Sequence, residues 1–178
     1  RYLSSEELGR LGDTLRELEL SGIESQAAIN ALRLLILTGC RLGEIQTLKW
    51  EYVRGNIIYL PDSKTGAKRV YLGKGALEVL AGIEQIDGNP YVITGIKPGS
   101  HLTDMQKPWR RIRKEAGLED VRIHDLRHTF ASSAVGLGES LPMIGKLLGH
   151  TQQQTTQRYA HQAAADRVSS ELGRLIGG

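Results

Sequence analysis

Arginine, histidine and tyrosine recur at short intervals in the last third of the chain, in His124-Asp125-Leu126-Arg127-His128, then Leu148-Gly149-His150, then Arg158-Tyr159-Ala160-His161. A further arginine stands in Thr38-Gly39-Cys40-Arg41-Leu42-Gly43-Glu44, and a lysine in Ser63-Lys64-Thr65-Gly66. These side chains are the parts needed to break a phosphodiester through a covalent tyrosyl phosphate. Attack on phosphorus builds negative charge on the non-bridging oxygens. A guanidinium meets that charge with two N–H donors in a fixed fork and stays cationic at any working pH, so Arg41 and Arg127 would form a clamp. His124 and Arg127 are three positions apart and share a face if their segment is helical. Tyrosine ordinarily titrates at about pH 10, so Tyr159 needs nearby positive charge or a base to attack near neutrality. The alkoxide it displaces leaves poorly without a proton, which Lys64 on a mobile turn would bring. Glu44, three positions after Arg41, is spaced to hold a neighbouring backbone group or arginine. Taken singly, each has an ordinary explanation: a surface salt bridge, a turn lysine, a packing tyrosine.

Elements must gather these residues. Ala28, Ile29, Leu32, Leu35 and Ile36 predict a buried helix over Ser25 to Thr38, stopped by Gly39, with Arg41 just past its end. The runs Asn56 to Leu60 and Arg69 to Leu72 predict a hairpin of a small sheet with Lys64 near its turn. Ser4 and Glu7 are spaced as a capping box for a first helix, and Thr103 and Gln106 as another for a helix ending at Ala116. Further helices are expected over about Lys74 to Ile83, His124 to Val135, Ser140 to Leu148, Thr151 to Tyr159 and Ala164 to Ile176. Asn89 to Val92 and Lys97 to Ser100 read as loop.

In this order the motifs resemble the catalytic domain of tyrosine recombinases, the phage integrase type, from about Leu3 to about Ala160. The resemblance implies an α+β, mostly helical fold, with an antiparallel sheet of about three strands packed on a helical core. It assigns the site to Arg41, Lys64, His124, Arg127, His150 and Tyr159, with Glu44 supporting. Tyr159 would be the nucleophile and Lys64 the general acid. His150 would donate to a non-bridging oxygen, and His124 would accept or return the tyrosine proton. Bond energy kept in a 3′-phosphotyrosine implies neither metal nor nucleotide cofactor.

The same resemblance implies site-specific cleavage and rejoining of double-stranded DNA by a homotetramer on paired sites, monomeric without DNA, in the cytoplasm and on the nucleoid when acting. Residues 1–178 would be the C-terminal catalytic domain, following an N-terminal core-binding domain. Residues 163–178 would form a docking helix, seated on their own domain or on a neighbouring protomer. Gln152-Gln153-Gln154 depart from the apolar residue usual there, so the Tyr159 helix is expected to dock loosely without DNA. Two other readings use the same residues differently: a sequence-specific DNA-binding module with vestigial catalysis, and a type IB topoisomerase-like enzyme.

Composition bounds these readings. The chain has 178 residues, which suit one domain with a self-sufficient core, and one cysteine, Cys40, which has no internal disulfide partner. No apolar run reaches the roughly 18 residues of a membrane span. The net charge of +3 permits a polyanionic partner without identifying one. Lys107, Arg110, Arg111, Arg113 and Lys114 surround Trp109 in a basic stripe that would lie along a phosphate backbone. His124 and His128 also have a zinc-ligand spacing, yet no Glu follows His124 as in metalloproteases and Cys40 is the only thiol, which favours the phosphate reading.

Overall fold

The computed structural model describes residues 1–62, 66–148 and 158–177, with residues 158–162 described as backbone only. Among them the elements run α1 (Ser5–Ser21), α2 (Gln26–Thr38), α3 (Leu42–Gln46), a 3₁₀ turn (Trp50–Tyr52), β1 (Val53–Arg54), β2 (Ile57–Leu60), β3 (Lys68–Tyr71), α4 (Lys74–Ala81), α5 (Gln106–Glu115), α6 (His124–Gly136), α7 (Leu141–Leu147) and α8 (Arg158–Leu175). The fold is mostly helical, with one small sheet, as the resemblance implies.

Helix α1 begins where Ser4 and Glu7 close a capping box: Glu7 N–H donates to Ser4 Oγ at 3.2 Å, and Ser4 N–H to Glu7 Oε2 at 2.8 Å. Its buried Leu8, Leu11 and Leu15 recur at helical spacing and make one apolar stripe. Helix α2 is apolar nearly all round, from Ala28 to Leu37, because it is the central helix. It packs on α3, α4, α6 and α8. The sheet has the antiparallel order β1-β2-β3, with Leu60 opposite Lys68 and Ile57 opposite Tyr71.

Two expectations need correction. Helix α5 starts at Gln106, not Thr103, and the Asp104 carboxylate rather than Thr103 accepts from its first N–H groups, those of Gln106 and Lys107. Pro108 is the reason: a helix begun three residues earlier would place its ring in the interior, against the carbonyl four residues back. The second correction concerns the tyrosine. Tyr159 and the tail were expected on separate helices, but α8 runs unbroken from Arg158 to Leu175. The Ala-rich stretch Ala160 to Ala165 contains no Gly or Pro to interrupt it. The expected helix start at Thr151 lies outside the described residues.

Helix α8 closes the core, burying Ala164, Ala165, Val168 and Leu172 against α1, α2, α4, α6 and α7 of the same chain. Its end is seated through Gly12 of α1, where a Cβ would overlap the backbone carbonyl of Ile176. Among the described residues no helix is long and apolar enough to cross a membrane.

Candidate active site

Helix α2 ends on Gly39, which sits at φ 70° and so terminates the helix in the left-handed region. A Cβ there would lie 2.7 Å from Phe130 of α6 and 2.9 Å from Leu148. The turn Gly39-Cys40-Arg41 is therefore pressed against the elements that carry His124, Arg127 and the approach to His150. Arg41 then caps α3, and its backbone N–H donates to Glu44 Oε1 at 2.8 Å. The Glu44 carboxylate also stands 4.0 Å from Arg41 Nη1. Glu44 thus holds both the backbone and, at longer range, the guanidinium of Arg41.

Helix α6 starts where the Asp125 carboxylate takes the N–H of Arg122 at 2.9 Å, which leaves His124 at the rim and turns Arg127 inward. Buried Arg127 donates through Nη1 to the Gly39 carbonyl at 2.6 Å and through Nη2 to the Leu148 carbonyl at 3.4 Å. Burial, and then the charge of Arg41, lowers its pKa from the ordinary arginine value. The two guanidinium groups therefore sit in each other's field, an arrangement that favours an anion between them.

His124 is lowered from the usual imidazole value by partial loss of hydration, then by His128 and Arg127. Its ring meets that of His128 edge to face, with centroids 4.8 Å apart. Two cavities meet at His124. One, of about 740 Å³, is lined by Arg41, Glu44, Lys49, Tyr52, Tyr91 and His124. The other, of about 280 Å³, is lined by Cys40, Arg113, Arg122, His124 and Arg127. Arg41 Nη1 is buried without a hydrogen-bond partner among the described residues. A buried cationic donor without a hydrogen bond is able to donate to an anion.

The structure thus gathers Arg41, Glu44, His124 and Arg127. Lys64 and His150 lie outside the described residues, and Tyr159 is described only as backbone in the first turn of α8. The basic stripe is divided. Lys107, Arg110 and Lys114 are exposed on α5. Arg111 is tied to the buried carboxylate of Glu24, with its Nη2 at 2.9 Å from Oε2. Arg113 turns the other way, donates to the Val121 carbonyl at 2.9 Å and lines the smaller cavity with Arg127.

One residue of this neighbourhood escaped sequence reasoning. Lys68 opens β3 with its ammonium buried 2.5 Å from Glu44 Oε2, as an ion pair outside hydrogen-bond angles. The signal was the period-two pattern of β3, which puts Lys68 on the inward face with Val70 while Arg69 points out. Cys40 lies among these charges; its thiol is pushed up by burial first and by Glu44 second.

Residues 1–166 match the model of the phage integrase family. The chain is 30% identical over 174 residues to the shufflon-specific DNA recombinase of Escherichia coli, covering 95% of this chain and 42% of that protein. Its fold is similar to the crystal structure of XerA recombinase, with TM-score 0.69 at 22% identity over 99% of this chain and 64% of that one. It is also similar to the lambda integrase catalytic core, with TM-score 0.65 at 23% identity over 86% of this chain and 94% of that one. The chain spans about half the length of the curated relatives it matches.

Proposed function

The chain belongs to the phage integrase family, and from that premise we propose that it cleaves and rejoins DNA strands at specific sites through a 3′-phosphotyrosine on Tyr159. The observation that carries this reading is the pairing of Arg41, whose buried Nη1 has no hydrogen-bond partner among the described residues, and Arg127, within its field, around His124. A phosphate seated there would receive donors from both guanidinium groups as charge grows on its oxygens.

Tyr159 attacks the phosphorus, and the 5′-oxygen of the next nucleotide leaves with a proton from Lys64. His124, whose pKa is lowered by its surroundings, takes the tyrosine proton and returns it on rejoining. His150 donates to a non-bridging oxygen. Rejoining is attack by a 5′-hydroxyl on the phosphotyrosine, so the bond energy is conserved and no metal or nucleotide cofactor enters the scheme.

Residues 1–178 act as the catalytic domain of a longer protein with an N-terminal core-binding domain. The partner is double-stranded DNA, with Lys107, Arg110 and Lys114 on its phosphates, and the protein works as a homotetramer on paired sites. Residues 163–178 serve as the docking helix that anchors the Tyr159 segment. The place of action is the cytoplasm, on the nucleoid.

The test is a suicide substrate: a nicked duplex carrying a site that the protein itself selects from a randomised pool. A covalent protein–DNA adduct that Tyr159→Phe abolishes supports the reading. Site-specific binding without an adduct would leave a DNA-binding module, and relaxation of any supercoiled plasmid would leave a topoisomerase.

A further inference from the structure

Lys68 is a buried cation that the proposed chemistry does not use. Its side chain is 2% exposed, its ammonium is 2.5 Å from Glu44 Oε2, and it donates to the Leu148 carbonyl at 3.4 Å. Each contact reaches a different part of the site. Glu44 holds the backbone N–H of Arg41 through its other oxygen. Leu148 also accepts from Arg127 Nη2 and precedes His150 by two positions. Lys68 itself lies four positions after Lys64 in sequence, at the start of β3.

An ammonium stripped of water is tolerated only when a carboxylate or carbonyl replaces its hydration. Both of its partners come from other elements, α3 and the end of α7, so the lysine is satisfied only when strand, turn and helix end are all in place. We infer that Lys68 is a positioning residue that latches β3, the Arg41 turn and the end of α7 at Leu148 into one frame. This rests on the recombinase reading of the site. Lys68 is not a second general acid: it is sealed from solvent, its charge is paired with Glu44, and it donates to Leu148.

The test compares Lys68→Met, Lys68→Arg and Glu44→Gln with the unaltered protein on the nicked substrate, in single turnover at saturating DNA. The latch predicts that Lys68→Met slows cleavage at least about tenfold while DNA affinity stays within about twofold, since only the reacting geometry is lost. Lys68→Arg should recover much of the rate. A 5′-bridging phosphorothioate, whose thiolate leaves without an acid, should restore Lys64→Ala but not Lys68→Met. Cleavage by Lys68→Met at the unaltered rate, a loss confined to affinity, or rescue by the thio substrate would each overturn the inference.

Should Lys68→Met fail to fold, Glu44→Gln carries the same comparison, because the amide keeps the size and can still accept from Arg41 N–H. Amide exchange without DNA decides the latch separately: exchange should rise together at Arg41 and at Leu148 in either variant, and unchanged exchange at both refutes it. If the unaltered protein forms no adduct, the recombinase reading fails while the exchange result still stands.

Discussion

Arg127 and Lys68 donate to the same acceptor, the carbonyl oxygen of Leu148, each at 3.4 Å. Two cations from α6 and β3 thus converge on the last described residue before Gly149 and His150, and Glu44 balances the charge beside them. The described site is framed by the Gly39 and Leu148 carbonyls and by the Glu44 carboxylate.

Arg127→Lys tests the frame and the clamp together. A lysine would keep the charge but could not bridge the Gly39 and Leu148 carbonyls while facing a phosphate. Adduct formation should fall on the order of a hundredfold, the usual cost of one lost transition-state donor. A lysine variant that cleaves within a few-fold of the unaltered protein would contradict this.

As the proposed proton acceptor, His124 should set the acid limb of the rate profile. Its pKa is lowered in the fold, so the neutral, proton-accepting form persists somewhat below the ordinary value of 6.5. Cleavage should hold through 6.5, decline as pH falls through the folded pKa, and lose that limb in His124→Gln. The same sign applies to stability. The unfolded chain takes up this proton first, so acidification from 6.5 downward favours unfolding. Denaturant midpoints against pH should be less steep in His124→Gln over that window.

Gly39→Ala should be costly where Gly43→Ala is not. The first needs a left-handed backbone and meets Phe130 and Leu148, whereas a Cβ at Gly43, inside α3, has nothing within 4 Å. A loss of about 2 kcal/mol or more is expected at Gly39, and a small gain at Gly43. Urea unfolding distinguishes them, and equal effects would show that the turn is not pressed against α6.

The α5 cations should separate by role. Arg111→Ala strands the Glu24 carboxylate, which is 2% exposed, and should cost about 1–2 kcal/mol, reduced because Arg111 itself is half exposed. Lys107→Ala, Arg110→Ala and Lys114→Ala should leave stability unchanged and each lower the salt slope of DNA binding by about one. Binding titrations at several salt concentrations, paired with melting curves, would expose any exchange of these roles.

Removing the tail should unfold the domain before it affects assembly. Deleting Ser169 to Gly178 takes away Leu172 and Ile176 from the core, and Leu172→Ala alone should cost about 2–5 kcal/mol. Calorimetry of the DNA-free protein checks this; an unchanged melting temperature in Leu172→Ala would mean that α8 is not part of the core in solution.

Much of the fold was legible because its signals are local. Ser4 and Glu7 close a cap within one turn, the apolar run of α2 forces burial, and Gly39 stops the helix wherever it sits in the molecule. The errors arose where local signals compete. Thr103 with Gln106 looked like a cap, but Pro108 moved the helix start. The break placed between Tyr159 and Ala164 had no breaker residue behind it. For the site, order along the chain was enough to nominate Arg41, Glu44, His124 and Arg127, because their motifs are contiguous and chemically distinctive.

By itself, the chain of amino acids determined which groups are available for phosphoryl chemistry and which elements carry them, since residue type and short-range spacing act without reference to distant contacts. Tertiary structure alone decided which cations are free and which are tied. Lys68, Arg111 and Arg113 look like any other basic residues in one dimension, but Glu44, Glu24 and Val121 claim them only after packing brings those partners within reach. A charge withdrawn from water takes its meaning from its neighbours, and for Lys68 and Arg111 those neighbours lie far away along the chain.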